Sequence, residues 1–186
     1  MGSVNRLWIF LMQIVLLAGC DGMMNDLNPS SSDKRVTVQS GTVGSNVGQL
    51  APNFTLSDTL GTSVTLSSAL TGTLVKGVVL YFTMWCSSCD IDMSSMRSVH
   101  IPFFTPAVRF YAVDSWTGSV ADVWNSELSN GYAGSKFIVL ADTDKSVLNL
   151  YHGDMGITVV IDNTGVVRMN EVYDANRLMS TLVNLP

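Results

Sequence analysis

The sequence predicts an α/β sandwich, a central mixed β-sheet flanked by helices, and three observations carry that prediction. Strand-like and helix-like stretches alternate from Leu50 onward. One of them, VKGVVLYFT (75–83), is continuously β-branched and aromatic, the pattern of a strand buried on both faces. The chain closes with DANRLMSTLVNL (174–185), where Leu178, Leu182 and Leu185 share one helical face. Elements that alternate in this way pack as helices against a sheet.

Taken in order, APNFTLSD (51–58) reads as a short strand, and TLSSAL (65–70) as a brief helix with Ser67 as its cap. The buried strand 75–83 follows, then Cys86, Ser87, Ser88 and Cys89, then DIDMSSMRSV (90–99). Ile91, Met93, Met96 and Val99 keep a partial helical period, and serines followed by Asp90 and Asp92 suit a helix N-terminus. His100 is expected to cap or end that helix ahead of Pro102. AVRFYAVD (107–114) is the next strand, SVADVWNSEL (119–128) a helix, KFIVLAD (136–142) a strand and KSVLNLYH (145–152) a short helix. ITVVID (157–162) and GVVRMNEV (165–172), parted by Asn163 and Thr164 with Gly165 supplying a turn, read as a β-hairpin. No internal repeat and no glycine-rich phosphate loop interrupts this order.

The N-terminus is organised differently. Arg6 is the only charge before an apolar block from Leu7 to Ala18, too short for an ordinary spanning helix of ~20 residues and laid out as an export signal. Its end, Leu17-Ala18-Gly19-Cys20, resembles a bacterial lipobox. The expectation is a signal peptide over 1–19, diacylglycerol on the Cys20 sulfur, and a chain anchored to a membrane outside the cytoplasm. Asp21, next to that cysteine, is the residue type that retains such lipoproteins at the inner membrane of Gram-negative bacteria, on its periplasmic side. Residues 20–47, rich in Ser, Asn, Gly, Asp and Thr, read as a flexible tether, and 48–186 as one domain. Ten basic against fifteen acidic residues give a net charge of −5, and Lys and Arg form no cluster, so nucleic acid is not an expected partner.

Export bears on the cysteines. Of the three in the chain, lipidation removes Cys20 from redox chemistry and leaves Cys86 and Cys89 at CxxC spacing. A thiol attacks a disulfide only as its thiolate, so an exchanging dithiol needs one exposed sulfur of lowered pKa. A helix start provides it. Cys86 would lie against the unpaired amides of the first turn, and Cys89, one turn on, would be the buried resolving thiol. Trp85 offers an apolar shoulder for a docking partner, while Asp90 and Asp92 oppose ionisation unless solvated. A merely structural disulfide is the weaker reading, because so short a loop restrains little of the unfolded chain.

The stretches APNFTLSDTLGTSVTLSSAL, VVLYFTMWCSSC, VLADTDKSVLNLY and TVVIDNTGVV follow one another as in thioredoxin-like redoxins of the TlpA/ResA type, a resemblance covering nearly all of 50–186. It implies a thioredoxin-like fold in the AhpC/TSA-redoxin superfamily, Cys86 as nucleophile, Cys89 as resolving thiol, and thiol-disulfide exchange without a cofactor. It also implies cysteine-containing exported proteins as substrates, apocytochromes awaiting haem among them, and a membrane electron donor. One departure stands out. The family carries a cis-proline facing the dithiol, in the loop before the IDxxG strand, where this chain reads GDMGITVVID. Gly156 or Ile157 takes that place, and a non-proline cis bond costs ~2.5–4 kcal/mol, so a trans peptide is expected. Met155, Gly156 and Ile157, with Trp85, are the residues expected to line the substrate groove.

Two rival readings share the dithiol. Sco-type copper proteins, which resemble this chain in fold, bind copper through two cysteines and a histidine before the ID strand. Cys86, Cys89 and His152, with Met84 or Met155, would make a soft set of that kind. Thr83-Met84-Trp85-Cys86 also matches the TxxC of peroxiredoxins, although Val79 stands where those place proline and no partner Arg is evident. Met93 and Met96 are expected in the core, Trp116 and Trp124 as ordinary aromatics with Trp116 near the groove, and Glu127 in solvent.

Overall fold

The computed structural model describes residues 41–186. The expected signal peptide (1–19), the expected lipidation site Cys20 and the expected tether up to residue 40 lie outside the described residues. No helix among the described residues is long and apolar enough to cross a membrane.

The first strands, β1 (Thr55–Asp58) and β2 (Ser63–Thr65), lead into α1 (Leu66–Ala69). Next come β3 (Gly77–Thr83), α2 (Ser87–Ser95), a π-helical turn Met96–His100, α3 (Ile101–Phe104) and β4 (Val108–Asp114). The chain continues through α4 (Val120–Ser129), β5 (Phe137–Ala141), α5 (Ser146–Tyr151), β6 (Ile157–Asp162), β7 (Val167–Val172) and α6 (Ala175–Val183). Seven strands form one mixed sheet in the order β2-β1-β5-β4-β3-β6-β7. β3, β4 and β5 run parallel, and β6 pairs antiparallel on the other side of β3.

β3 is central, and all seven of its residues are buried, as its unbroken apolar run requires. Alternate side chains feed two cores. Val79 and Tyr81 face Met93, Met96, Val123, Leu178 and Leu182 from α2, the π turn, α4 and α6. Val78, Leu80 and Phe82 face Leu66, Ala69, Val147 and Tyr151 from α1 and α5. Leu178, Leu182 and Leu185 are all buried, as the closing amphipathic pattern predicts.

Several local expectations are corrected. β2 was not legible in SVT, which is short and polar, and it exists because β1 pairs with it. Thr65, not Ser67, precedes α1, and the Ser67 amide donates instead to Asn53 Oδ1 at 2.9 Å. His100 does not end the active-site helix. The chain passes through the π turn directly into α3, with Pro102 in the first turn of α3. The His100 ring is fully buried, with Nε2 at 2.9 Å from the Ala175 carbonyl. Glu127 is also buried and accepts from Thr59 Oγ1 at 2.6 Å. Residues 42–47, read as the end of the tether, form a turn bonded to the domain: Gly44 N donates to the Leu50 carbonyl, and Asn170 Nδ2 to that of Ser45.

Candidate active site

Every candidate for chemistry lies past the C-terminal end of β3. Thr83 ends the strand, Met84 and Trp85 turn the chain, and Cys86 is the N-cap of α2. Trp85 adopts φ +58°, a conformation that costs a bulky L-residue about 1–2 kcal/mol. Two bonds hold it there. Its amide donates to Thr83 Oγ1 at 3.1 Å and its indole Nε1 donates to Asp114 Oδ2 at 2.7 Å. Asp114, fully buried at the end of β4, also accepts from the amides of Trp116 and Thr117 and from the Thr117 hydroxyl. It therefore ties the turn that presents Cys86 to the turn after the neighbouring strand.

This turn directs the Cys86 sulfur back over the start of α2. Cys86 Sγ accepts from the Cys89 amide at 3.2 Å and lies 3.0 Å from Ser88 Oγ. Burial, slight here, would raise the Cys86 pKa, but donation from the Cys89 thiol, the Ser88 hydroxyl and the amides of both residues holds it below the ordinary thiol value. Cys89 behaves oppositely. Only 1 % of it is exposed, and burial together with the bond it donates to Cys86 raises its pKa. The two thiols are free, so the arrangement is that of the reduced state.

The two acidic residues beside the dithiol are each engaged by a tyrosine. Tyr132 OH donates to Asp90 Oδ1 at 2.7 Å, with the Arg97 guanidinium 4.8 Å over the Tyr132 ring. Tyr81 OH donates to Asp92 Oδ2 at 2.9 Å and neighbours Cys89 as well. Burial raises the Asp92 pKa against the lowering effect of the Tyr81 hydroxyl.

The facing loop approaches Cys86 from between α5 and β6. Met155 Sδ is 3.2 Å from Cys86 Sγ, although 42 % of Met155 is exposed. Gly156 sits beside it at φ +82°, its amide donating to the Phe82 carbonyl at 3.0 Å and its carbonyl accepting from the Tyr173 amide at 2.8 Å. Thr105–Pro106 is the only cis peptide bond among the described residues, so the bonds flanking Gly156 are trans, as expected. Both polar groups of Gly156 are taken, and the Met155 amide is occupied by Asp154 Oδ1 at 2.7 Å. Ile157, half-buried, begins β6 and packs toward the opposite core, so of the expected groove residues in this loop Met155 is the one in contact with the Cys86 sulfur. Trp116, half-buried, lies in the turn held by Asp114.

The copper set expected from sequence is not assembled. His152 caps the C-terminus of α5 at φ +50° and is exposed. No group of three or more His, Cys, Asp or Glu side chains among the described residues is placed to hold an ion. The Thr83 hydroxyl accepts from the Trp85 amide, and among the described residues Arg97, Arg109, Arg168 and Arg177 bond to groups other than Cys86.

Residues 47–170 match the AhpC/TSA family model, two thirds of the chain. The chain belongs to the AhpC/TSA family. Within that family it is similar to the thiol-disulfide oxidoreductase ResA of Bacillus subtilis, with 37 % identity over 105 residues, 56 % of this chain and 54 % of ResA. It thus spans about half the length of the curated relative it matches. Among solved structures, the exposed lipoprotein thioredoxin of Streptococcus pneumoniae aligns with a TM-score of 0.57 at 20 % identity, covering 72 % of this chain and 100 % of that one. The peroxidoxin BcpB of Mycobacterium tuberculosis aligns at 0.56 and 19 %, covering 78 % and 97 %. These two likenesses establish the thioredoxin-like fold that AhpC/TSA members share.

Asp114, which ties the Cys86 turn to the turn after β4, is the candidate positioning residue that sequence reading missed. Its signal was present: an acid ending a buried strand and followed by a tight turn recurs at Asp142 and Asp162, and all three are fully buried.

Proposed function

We propose that this chain is a thiol-disulfide oxidoreductase that exchanges electrons with protein substrates through Cys86 and Cys89. The observation that carries the reading is the division of labour between the two sulfurs. Cys86 is accessible, caps a helix and is held toward its thiolate, whereas Cys89 is buried one turn later and keeps its proton. In the reducing direction, the Cys86 thiolate attacks one sulfur of a substrate disulfide, forming a mixed disulfide and releasing the other substrate sulfur as thiolate. Cys89 then gives up its proton and attacks the Cys86 sulfur. The Cys86–Cys89 disulfide forms, the second substrate thiol departs, and two electrons have passed to the substrate. The reverse sequence oxidises a substrate dithiol.

The setting proposed for this chemistry is extracytoplasmic. Cys20 carries the lipid anchor, the substrates are cysteine-containing exported proteins such as apocytochromes, and a membrane protein recharges the dithiol. Support comes from the export-type N-terminus. Fatty-acid labelling that is lost in Cys20→Ser tests the anchor.

Cys89→Ala tests the exchange itself. The variant is expected to accumulate mixed disulfides with partner proteins through Cys86, and Cys86 is expected to alkylate faster than a model thiol at neutral pH. If Cys86 captures no protein and alkylates no faster than free cysteine, the proposal fails.

A further inference from the structure

The 3.2 Å contact between Cys86 Sγ and Met155 Sδ is not needed for exchange, and an incoming disulfide would have to displace it. A long, flexible side chain with 42 % of its surface exposed nevertheless places its sulfur against the nucleophile. Cys89 adds a third sulfur one helical turn on, its amide donating to Cys86 Sγ at 3.2 Å. The Cys86 sulfur is thus met by the Met155 thioether from the Asp154–Ile157 loop, with a second thiol one turn on in α2. Gly156 allows this approach. It is buried at φ +82°, and a Cβ there would meet Asp92 Oδ2 at 3.8 Å, so the loop lies against the acidic edge of α2.

We infer that the reduced protein binds one soft monovalent cation, Cu(I) or Ag(I), in a three-sulfur site formed by Cys86, Cys89 and Met155. The inference rests on the dithiol of the proposed exchange reaction and extends it to a second state of the same sulfurs. Donor softness selects the ion. Thiolate and thioether ligands suit Cu(I), while Mg(II), Ca(II) and Mn(II) require oxygen donors. A neutral thioether contributes no charge, so two thiolates and one monovalent ion leave a single negative charge near the surface. Zinc, which takes four ligands in structural sites and favours anionic or imidazole donors, is a poorer fit to three sulfurs of which one is neutral.

Binding consumes no electrons: Cys86 coordinates as thiolate, Cys89 loses one proton to solvent, and Met155 donates a lone pair. Since the Cys86–Cys89 disulfide has no thiolate to offer, only the reduced protein binds. Metal and substrate disulfide compete for one sulfur, so an ion in place silences exchange. His152, exposed at the end of α5, takes no part.

The test uses the full chain, reduced and kept free of oxygen. Cu(I) is titrated against a chromophoric Cu(I) chelator, and the coordination number of the bound ion is read by X-ray absorption. One equivalent with three sulfur neighbours is expected. Met155→Leu, which keeps the side-chain volume, should weaken affinity at least tenfold and reduce the count to two, whereas His152→Ala should leave both unchanged. Unchanged affinity and two sulfurs in both wild type and Met155→Leu would overturn the site, as would a loss in His152→Ala. Wild-type protein whose Cys86 alkylates rapidly but takes up no Cu(I) refutes the metal site alone. Slow alkylation as well would refute the exchange reading beneath it.

Discussion

Replacing Asp114 by Asn isolates the bond that sets Cys86 in place. Asn keeps the size of Asp, and its one carbonyl oxygen can still accept from the Trp116 and Thr117 amides, each 2.9 Å from Oδ1. The other carboxylate oxygen becomes an NH2 group. The Thr117 hydroxyl can reverse and accept from it, but the Trp85 indole has only a hydrogen to offer and would face a second donor. The lost bond is charge-assisted and worth about 1.5–3 kcal/mol. That is comparable with, or larger than, the ~1–2 kcal/mol by which Trp85 resists its φ of +58°. Without the bond, Trp85 should relax out of the left-handed region and carry Cys86 away from the amides of Ser88 and Cys89. Urea unfolding is expected to show a loss of about 2 kcal/mol. The pH–rate profile of Cys86 alkylation should move up toward an ordinary thiol of pKa ~8.5, only a few per cent ionised at pH 7. The two measurements separate two roles. If stability falls but the alkylation profile keeps its wild-type midpoint, Asp114 is a structural cap and the Trp85 bond does not position the nucleophile.

Asp92→Asn should gain stability over the wild type as pH rises. Burial raises the folded-state pKa of Asp92 above its unfolded value, so the folded protein holds the proton longer and loses stability as pH climbs from the ordinary carboxylate range through the raised value. In stronger acid the two proteins should unfold alike; toward neutrality the variant should lead by less than about 1 kcal/mol, since solvent screens a partly exposed carboxylate. Thermal melts at several pH values read the difference, and a variant that loses stability on raising the pH would contradict it. Gly77→Ala would place a Cβ 2.4 Å from the Ile161 carbonyl oxygen, which is backbone and cannot swing aside. The expected cost is about 1–3 kcal/mol in denaturant unfolding, and a neutral outcome would mean that β3 and β6 separate more readily than their pairing implies. Leu182→Ala, emptying a buried position of α6, should cost about 2–5 kcal/mol by the same measurement.

The elements legible in the sequence were those whose burial is written in one stretch of chain. β3 is apolar at every step because helices cover both its faces, and α6 repeats leucine at helical spacing because only one face is covered. The position of Cys86 and Cys89 between them followed from the same pattern. What stayed hidden depends on partners far away along the chain. β2 is a strand through its pairing with β1, and Glu127 is buried because Thr59 supplies a donor. The continuation of the active-site helix past His100 needed a π turn, which no residue pattern announces, and a proline that happens to fall where a helix tolerates it. The loop opposite the dithiol was half legible. Its lack of proline and its trans backbone were predictable, whereas the choice of Met155 rather than His152 as the neighbour of Cys86 was decided by the sharp left-handed turns at His152 and Gly156.

The full burial of β3 also determines which side of the site can yield. Its amides are paired to β4 and β6 on both edges, so they belong to the part of the domain that opens only with global unfolding, and hydrogen exchange there should be the slowest in the molecule. Cys86 stands three residues beyond that strand, on an anchor that does not give. In the proposed exchange, a docking partner would meet a sulfur fixed like the jaw of a vice, the moving jaw being the Met155 side, whose thioether would swing aside to admit a disulfide. Discrimination among partners would then rest on how easily one side chain is pushed out of the way.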